Sequence, residues 1–248
     1  MLDLIANRPT HVPTRETLNF LISSVSTGAT ILEVGCGEGH VACELLKRGY
    51  HVTGLDSDPN VIARAQARGI PAFVTSWPEF NANAPFDAIA FTRSLHHISP
   101  LREAIVRARE LIKPTGLLLI EDFALDKVDA ATVDWFAKIL RSKQGKALIK
   151  PIPEQLVTAL FSASDTMQTW HDYRARDVNL FASMIKAIGE RFVIRETQSV
   201  PYFYRYLIPA LPETSEATSF VSKVFRRESM LGERGEIMLL GRRIVASP

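Results

Sequence analysis

Three glycines at alternate positions, Gly35, Gly37 and Gly39, follow a short apolar run in ILEVGCGEGH, residues 31–40. Glycine permits positive φ and lets another group come close to the backbone. Asp56 ends the next apolar run, 19 residues after Gly37, where a carboxylate can accept from both hydroxyls of a ribose. That pairing is the chemistry of a nucleotide-type pocket. Further along stand His96 and His97, whose imidazoles titrate near neutral pH and can serve as a base; equally, they can pack and hydrogen-bond at the start of a helix. Glu121 and Asp122 can orient a substrate or bond loop amides. His171-Asp172, between Trp170 and Tyr173, either faces a pocket or is solvated surface.

The elements that must position these residues alternate. Ile31–Val34 suits a buried strand, and Val41–Leu46 has the apolar spacing of a helix face. The glycines therefore lie at a strand-to-helix turn, where unpaired N–H groups at a helix N-terminus meet a polar or anionic ligand. Strands are predicted at 31–34, 51–56, 72–75, 87–92 and 116–121, with helices between them. Ser57-Asp58-Pro59 and Ser99-Pro100 each give a cap with proline at the first helical position; Gly69 and Pro114 mark the ends of those helices. Alternation of this kind implies βαβ units and a mostly parallel sheet. In such sheets ligands bind at the carboxyl ends of the strands, near the point where strand order reverses. The residues at those ends are 35–39, 56–58, 76–77, 92–97 and 121–123.

After Phe123 the pattern changes. Residues 126–176 read as helices without strands, Val128 to Ser142 and then Pro153 to Ala163, rich in Trp135, Phe136, Phe161, Trp170 and Tyr173. Aromatic residues there either line an acceptor pocket or form plain core. Residues 177–190 read as a helix against the sheet, and 192–197 and 236–246 as strands that complete it. The expectation is one α/β domain over 1–248: an N-terminal helical segment (1–27), a core of alternating strands and helices (28–123), a helical cap (126–176) and a sheet-completing segment (177–248). It has a Rossmann-like, mostly parallel twisted sheet of about seven strands, the last antiparallel.

Composition narrows the class. Apolar residues make up 46% and charged residues 23% of the 248, ordinary for a soluble globular protein. A formal net charge of +2 gives no footing for nucleic acid or an anionic membrane. No run approaches the roughly 20 apolar residues that span a bilayer, and the N-terminus lacks the pattern of a signal peptide. Two cysteines, Cys36 and Cys43, fit a reducing compartment, and the expected location is the cytoplasm.

Four ordered blocks between residues 25 and 123 resemble the class I S-adenosylmethionine-dependent methyltransferases, small-molecule type. These are ILEVGCGEGH, VTGLDSDPNVIARAQARG, PFDAIAFTRSLHHI and LIKPTGLLLIEDF. A dinucleotide fingerprint fits less well, because its third glycine position falls on His40. The resemblance implies that Gly35, Cys36, Gly37 and Gly39 form the cofactor turn and that Glu33 orients it. It further implies that Asp56 takes the ribose hydroxyls, Ser57 lies beside the adenine, and Thr92 and Arg93 face the methionine part. Many relatives carry an Asp after the third strand; here Ser76 stands there, followed by Trp77.

Methyl transfer from a sulfonium is an in-line displacement, so the protein mainly positions the acceptor and excludes water. A base is needed only if the acceptor must lose a proton, and His96 and His97 are the candidates. Glu121, Trp135, Trp170, His171 and Tyr173 are the candidates for acceptor contact. The expected partner is a small molecule methylated on O, N or C, with S-adenosyl-L-methionine as cofactor and S-adenosyl-L-homocysteine as product. Metal-dependent catechol-type relatives place Asp after the fourth strand and Asp-Asn after the fifth; neither is present, and no metal is expected. The motif that base-methylating relatives carry after the fourth strand is replaced by TRSLHHI, and no Pro-Pro occurs in the chain, so nucleic acid is not expected. Two other classes stay open: a catalytically silent binding module and a nucleotide-dependent oxidoreductase.

Overall fold

The computed structural model describes residues 8–153, 155–174 and 178–248. Residues 1–7 of the expected N-terminal segment, and residues 154 and 175–177 around the expected cap, lie outside the described residues. The element order is α1 (His11–Ser24), β1 (Thr30–Val34), α2 (His40–Lys47), β2 (His51–Asp56), α3 (Pro59–Ala67), β3 (Ala72–Val74), β4 (Phe86–Thr92), α4 (Leu101–Leu111) and β5 (Ile112–Phe123). Then come α5 (Ala130–Leu140), α6 (Lys143–Leu148), α7 (Leu156–Ser162), α8 (Thr166–Arg174), α9 (Phe181–Gly189), β6 (Val193–Val200), α10 (Phe203–Tyr206), α11 (Ser215–Glu233) and β7 (Gly241–Ser247).

The strands form one seven-stranded sheet in the order β3-β2-β1-β4-β5-β7-β6. β1 to β5 are parallel, with Glu33 opposite Gly54 on one side and Ala90 on the other. The last strand runs the other way. Its start, Gly241, lies against Val200 at the end of β6, and Ser247 at its end bonds Arg195 near the start of β6.

Side-chain alternation along the strands builds a core on each face. Leu32 and Val34, Ile89 and Phe91, and Leu118 and Ile120 face α4 and α9, meeting Ala104, Ile105, Met184 and Ile188. Ile31, Ala88, Ala90 and Leu119 face the other way, onto Leu18 and Leu21 of α1, Val41 and Leu45 of α2, and Ile62 of α3. Strands buried on both faces read in sequence as continuous apolar runs, which is why β1, β4 and β5 were legible.

The chain divides into two compact units. Residues 14–123, 178–198 and 242–248 form the one that carries the sheet. The described residues of 1–13, 124–177 and 199–241 form the other, which is helical. Its interior is aromatic: the Phe136 ring lies tilted 4.9 Å from Phe203, which lies 5.5 Å from Trp170. Glu228, wholly buried on α11, accepts the backbone N–H groups of Tyr202, Phe203 and Tyr204 at 2.7, 2.9 and 3.1 Å. Burial pushes its carboxyl up to about 7, against the pull of those three donors.

The expected strand over 236–246 needs correction at its start. Residues 236–240 are not strand, because this apolar run packs into the helical unit: Met238 N–H donates to Thr132 Oγ1 at 2.7 Å, and Leu239 lies over Gly232. The connection 197–235 holds a 19-residue helix, α11, capped by the Thr214 hydroxyl, which accepts from Ala217 N–H. Phe220, Val221, Val224 and Leu231 are its buried face. Polar residues between the apolar positions dilute that stripe in the sequence.

Candidate functional site

The chain leaves β1 toward β2 and β3, then returns to add β4 on the other side of β1. The connections after β1 and β4 therefore diverge, and a crevice opens at the carboxyl ends of these strands. A cavity of about 420 Å³ lies there, lined by Gly35, Asp56, Ser57, Ser76, Trp77, Arg93, Ser94 and His97 among others. Cavities of roughly 300–1,000 Å³ hold small-molecule ligands.

The glycine turn is fixed by backbone geometry. Gly35 N–H and Cys36 N–H both donate to Leu55 O at 2.8 Å, tying the turn to the end of β2. Gly35 has φ +75°, and a Cβ there would overlap the Ser94 side chain. Gly37 (φ +54°) has nothing within 4 Å of an added Cβ, so its α-carbon opens onto empty space. Asp56 reaches across: Oδ2 accepts Gly37 N–H at 3.0 Å and Oδ1 accepts Asp58 N–H at 3.1 Å. Each carboxylate oxygen keeps acceptor capacity beyond that single bond. Cys36 fills the gap beneath, its Sγ where a Cβ on Gly54 would be 2.8 Å away. Burial, with Glu33 and Asp56 nearby, pushes its thiol up to about 12, so it is no thiolate nucleophile at neutral pH.

Glu33 stands behind the turn. It is 1% exposed, accepts the Thr92 hydroxyl at 2.8 Å on Oε1, and its Oε2 has no hydrogen-bond partner. Burial raises its carboxyl to about 7, while Thr92, Arg93 and the Ala42 backbone pull the other way. Ser94, just after β4, donates to Val34 O and so ties the two diverging connections together.

Arg93 is the only non-glycine with positive φ among the described residues, at +66°. That backbone costs on the order of 1 kcal/mol for an L-residue. Its N–H donates to Glu121 O at 2.7 Å, continuing the ladder past the strand end. Its guanidinium reaches Glu121 Oε1 at 3.4 Å and Thr17 Oγ1 at 3.3 Å. Glu121 itself, 1% exposed, is held more closely by Arg243 at 2.8 Å and by the Thr17 hydroxyl at 2.6 Å.

The turn Leu95–His97 follows. Asn179 fastens it, donating its side-chain amide to Leu95 O and Ile98 O and its backbone N–H to His96 O. His96 is buried, with Nδ1 2.8 Å from Asp122 Oδ1, between the rings of His97 (3.9 Å) and Phe123 (4.3 Å). Asp122 also accepts the backbone N–H groups of His96 and Phe123. His97 is the exposed member of the pair and lines the cavity.

Of the residues singled out in sequence, Gly35, Asp56, Ser57, Ser76, Trp77, Arg93 and His97 line one cavity. Trp77 does so from the core, its Nε1–H donating to Ala104 O at 3.0 Å. Gly39 is the N-cap of α2 at φ 74°, where a Cβ would meet Ile70. Glu33, Thr92, His96 and Glu121 support the walls from behind. Trp135, Trp170, His171 and Tyr173 belong to the helical unit: Trp170 is wholly buried, Tyr173 half-buried and His171 exposed. Sequence reasoning included Ser94 only within the strand end 92–97, and did not single out Ile98 and Ser99 in the lining, or the support from Thr17, Asn179 and Arg243. Ser94 had a signal, its place just after a strand; Arg243 had none, lying 122 positions from its partner. Among the described residues no group of three or more His, Cys, Asp or Glu is placed to hold a metal ion, and no helix is long and apolar enough to cross a membrane.

A glycine turn at the β1/β4 switch point, an acid, Asp56, ending β2 and a reversed final strand define the class I S-adenosylmethionine-dependent methyltransferase fold. The chain belongs to the methyltransferase domain family, whose model matches residues 9–173. It is 31% identical over 122 residues to a ubiquinone biosynthesis O-methyltransferase of Xylella fastidiosa (strain M23), covering 46% of this chain and 50% of that one. To the protein of the same name in Xanthomonas campestris pv. campestris (strain B100) it is 29% identical over 210 residues, covering 72% and 85%. The chain spans about half the length of the curated relatives it matches at 30% identity or more. Its fold is similar to that of coclaurine N-methyltransferase bound to N-methylheliamine and SAH, with a TM-score of 0.60 and 11% identity, covering 94% of this chain and 72% of that one.

Proposed function

We propose that this protein transfers the methyl group of S-adenosylmethionine to an O, N or C atom of a small-molecule acceptor. The observation that carries this reading is the Asp56 carboxylate held beside the glycine turn, 3.0 Å from Gly37 N–H, on the wall of the cavity at the strand-order reversal. The residues present fit an adenosyl ligand. Asp56 offers acceptors to two ribose hydroxyls, Gly37 leaves room for close approach, and Ser57 and Ser76 offer hydroxyls at the adenine end. Bound there, the sulfonium supplies an activated methyl and a neutral thioether as leaving group.

The chain's own contribution is positional. Asn179 and the buried His96–Asp122 pair fix the turn that presents His97 to the cavity. His97 is the side chain proposed to accept a proton from an acceptor that must shed one, and Trp77 and Ile98 add apolar surface to the same cavity. The name of the Xylella relative supports an acceptor of small-molecule type.

Calorimetric titration with S-adenosylmethionine, S-adenosylhomocysteine and NADH, on wild type and Asp56→Ala, tests the reading. Micromolar binding of both sulfur nucleotides, weakened by the substitution, is the expected result and opens the way to an acceptor screen. Binding of NADH alone, or of nothing, would overturn it.

A further inference from the structure

A second cavity, of about 550 Å³, opens on the sheet unit away from the glycine turn, and no residue lines both. Its walls come from α1, β5, β6 and β7. The edge strand β6 is exposed along nearly its whole length, so the space between that strand and α1 stays unfilled. Phe20, Leu117 and Val245 give the cavity apolar surface. Apolar surface with a few convergent polar groups is the form of a small-molecule site.

The polar groups are matched to one kind of ligand. Glu196 lines the cavity with an exposed carboxylate that has no hydrogen-bond or ion-pair partner among the described residues. The side-chain amides of Asn19 and Gln198, in the same lining, are likewise unengaged. Ser23 and Ser24 both donate their hydroxyls to Phe20 O, at 2.9 and 3.0 Å. With that hydrogen spent, each serine oxygen can only accept. Arg243 is the lining residue of opposite charge, but Glu121 already answers it: Nε and Nη2 each lie 2.8 Å from Glu121 Oε2, and Nη2 also donates to Glu16 O. The cavity therefore presents acceptors and one uncompensated negative charge. An ammonium group brings three donors and no acceptor, whereas a carboxylate or phosphate would face Glu196 and the serine lone pairs.

We infer that this cavity is a second ligand site, for a small organic ammonium ion with an apolar body. Glu196 receives the ammonium, the serine and amide oxygens complete its hydrogen bonds, and Phe20, Leu117 and Val245 cover the hydrocarbon. The inference is independent of what occupies the cavity at Asp56.

The test uses benzylamine, benzyl alcohol and benzoate, which share a ring and differ in charge. Dissociation constants are measured by ligand-observed NMR titration on wild type, Glu196→Gln and Glu79→Gln. Glu196 is exposed, so its substitution by glutamine keeps the fold, and a thermal melt verifies that. Glu79 is an exposed carboxylate of the same unit that lines neither cavity. Loss of a hydrogen bond to a charged group weakens binding about tenfold. The expected result is that wild type takes benzylamine about tenfold more tightly than the other two probes. That preference is lost in Glu196→Gln and kept in Glu79→Gln. Equal binding of the three probes, equal loss in both variants, or no binding of benzylamine overturns the inference.

Discussion

Alanine at Gly35 and at Gly37 should separate what the glycine turn does for folding from what it does for the ligand. At Gly35 two costs combine. A Cβ at φ +75° costs about 1–2 kcal/mol. It would also overlap Ser94 Cβ and stand 2.9 Å from Ser94 Oγ, so Ser94 must move and give up its bond to Val34 O, worth about 1 kcal/mol more. The sum is about 3 kcal/mol, less the few tenths returned because alanine restricts the unfolded chain. At Gly37 the backbone term stands alone, since φ is +54° and no atom lies within 4 Å, giving about 1 kcal/mol. For a chain of this size each kcal/mol lowers Tm by about 2–4 °C. Differential scanning calorimetry should therefore show Gly35→Ala melting about 5–12 °C below wild type, and Gly37→Ala about 2–4 °C below. Calorimetric titration should show both variants losing S-adenosylhomocysteine, Gly37→Ala because its new methyl occupies the open space beside Asp56. Equal destabilisation by the two substitutions, or a Gly37→Ala that binds as wild type does, would refute the reasoning.

Other consequences follow from the buried carboxyls and the cluster around them. Glu33 and Glu228 titrate at about 7 in the folded chain against an ordinary 4.5. Between those values the unfolded chain releases protons that the folded one keeps, so stability is full below pH 4.5 and falls as pH rises through 7, by on the order of 3 kcal/mol per group. Urea titrations from pH 4.5 to 8 should show that decline in wild type and a shallower one in Glu228→Gln; an equal slope in the variant would count against it. Glu121→Ala leaves Arg93 and the half-buried Arg243 without their buried carboxylate and should cost about 3–5 kcal/mol, read as a lower urea midpoint. Cys36, buried with its thiol at about 12, should resist iodoacetamide at pH 8 while the half-buried Cys43 is alkylated, as peptide mass spectrometry would report.

The sequence by itself determined the parts of this protein that are local. Continuous apolar runs specify β1, β4 and β5, because a strand buried on both faces needs no partner to be recognised, and glycine, proline and Asp-Pro punctuation marks off the helices between the strands. The turn at 35–39 and Asp56 were legible for the same reason: their chemistry depends on φ and on spacing along a few residues. What only the tertiary structure decided depends on neighbours far apart in the chain. Glu121 reads as a candidate for substrate contact until β7 brings in Arg243 and α1 brings in Thr17. His96 and His97 read as an equivalent pair until Asp122 takes one inward and the cavity takes the other. The run at 236–240 has strand composition, yet Thr132 and Gly232 claim it for the helical unit. In each case a side chain's charge balance or burial is set by a partner many residues away, and such a partner leaves no periodicity in the sequence.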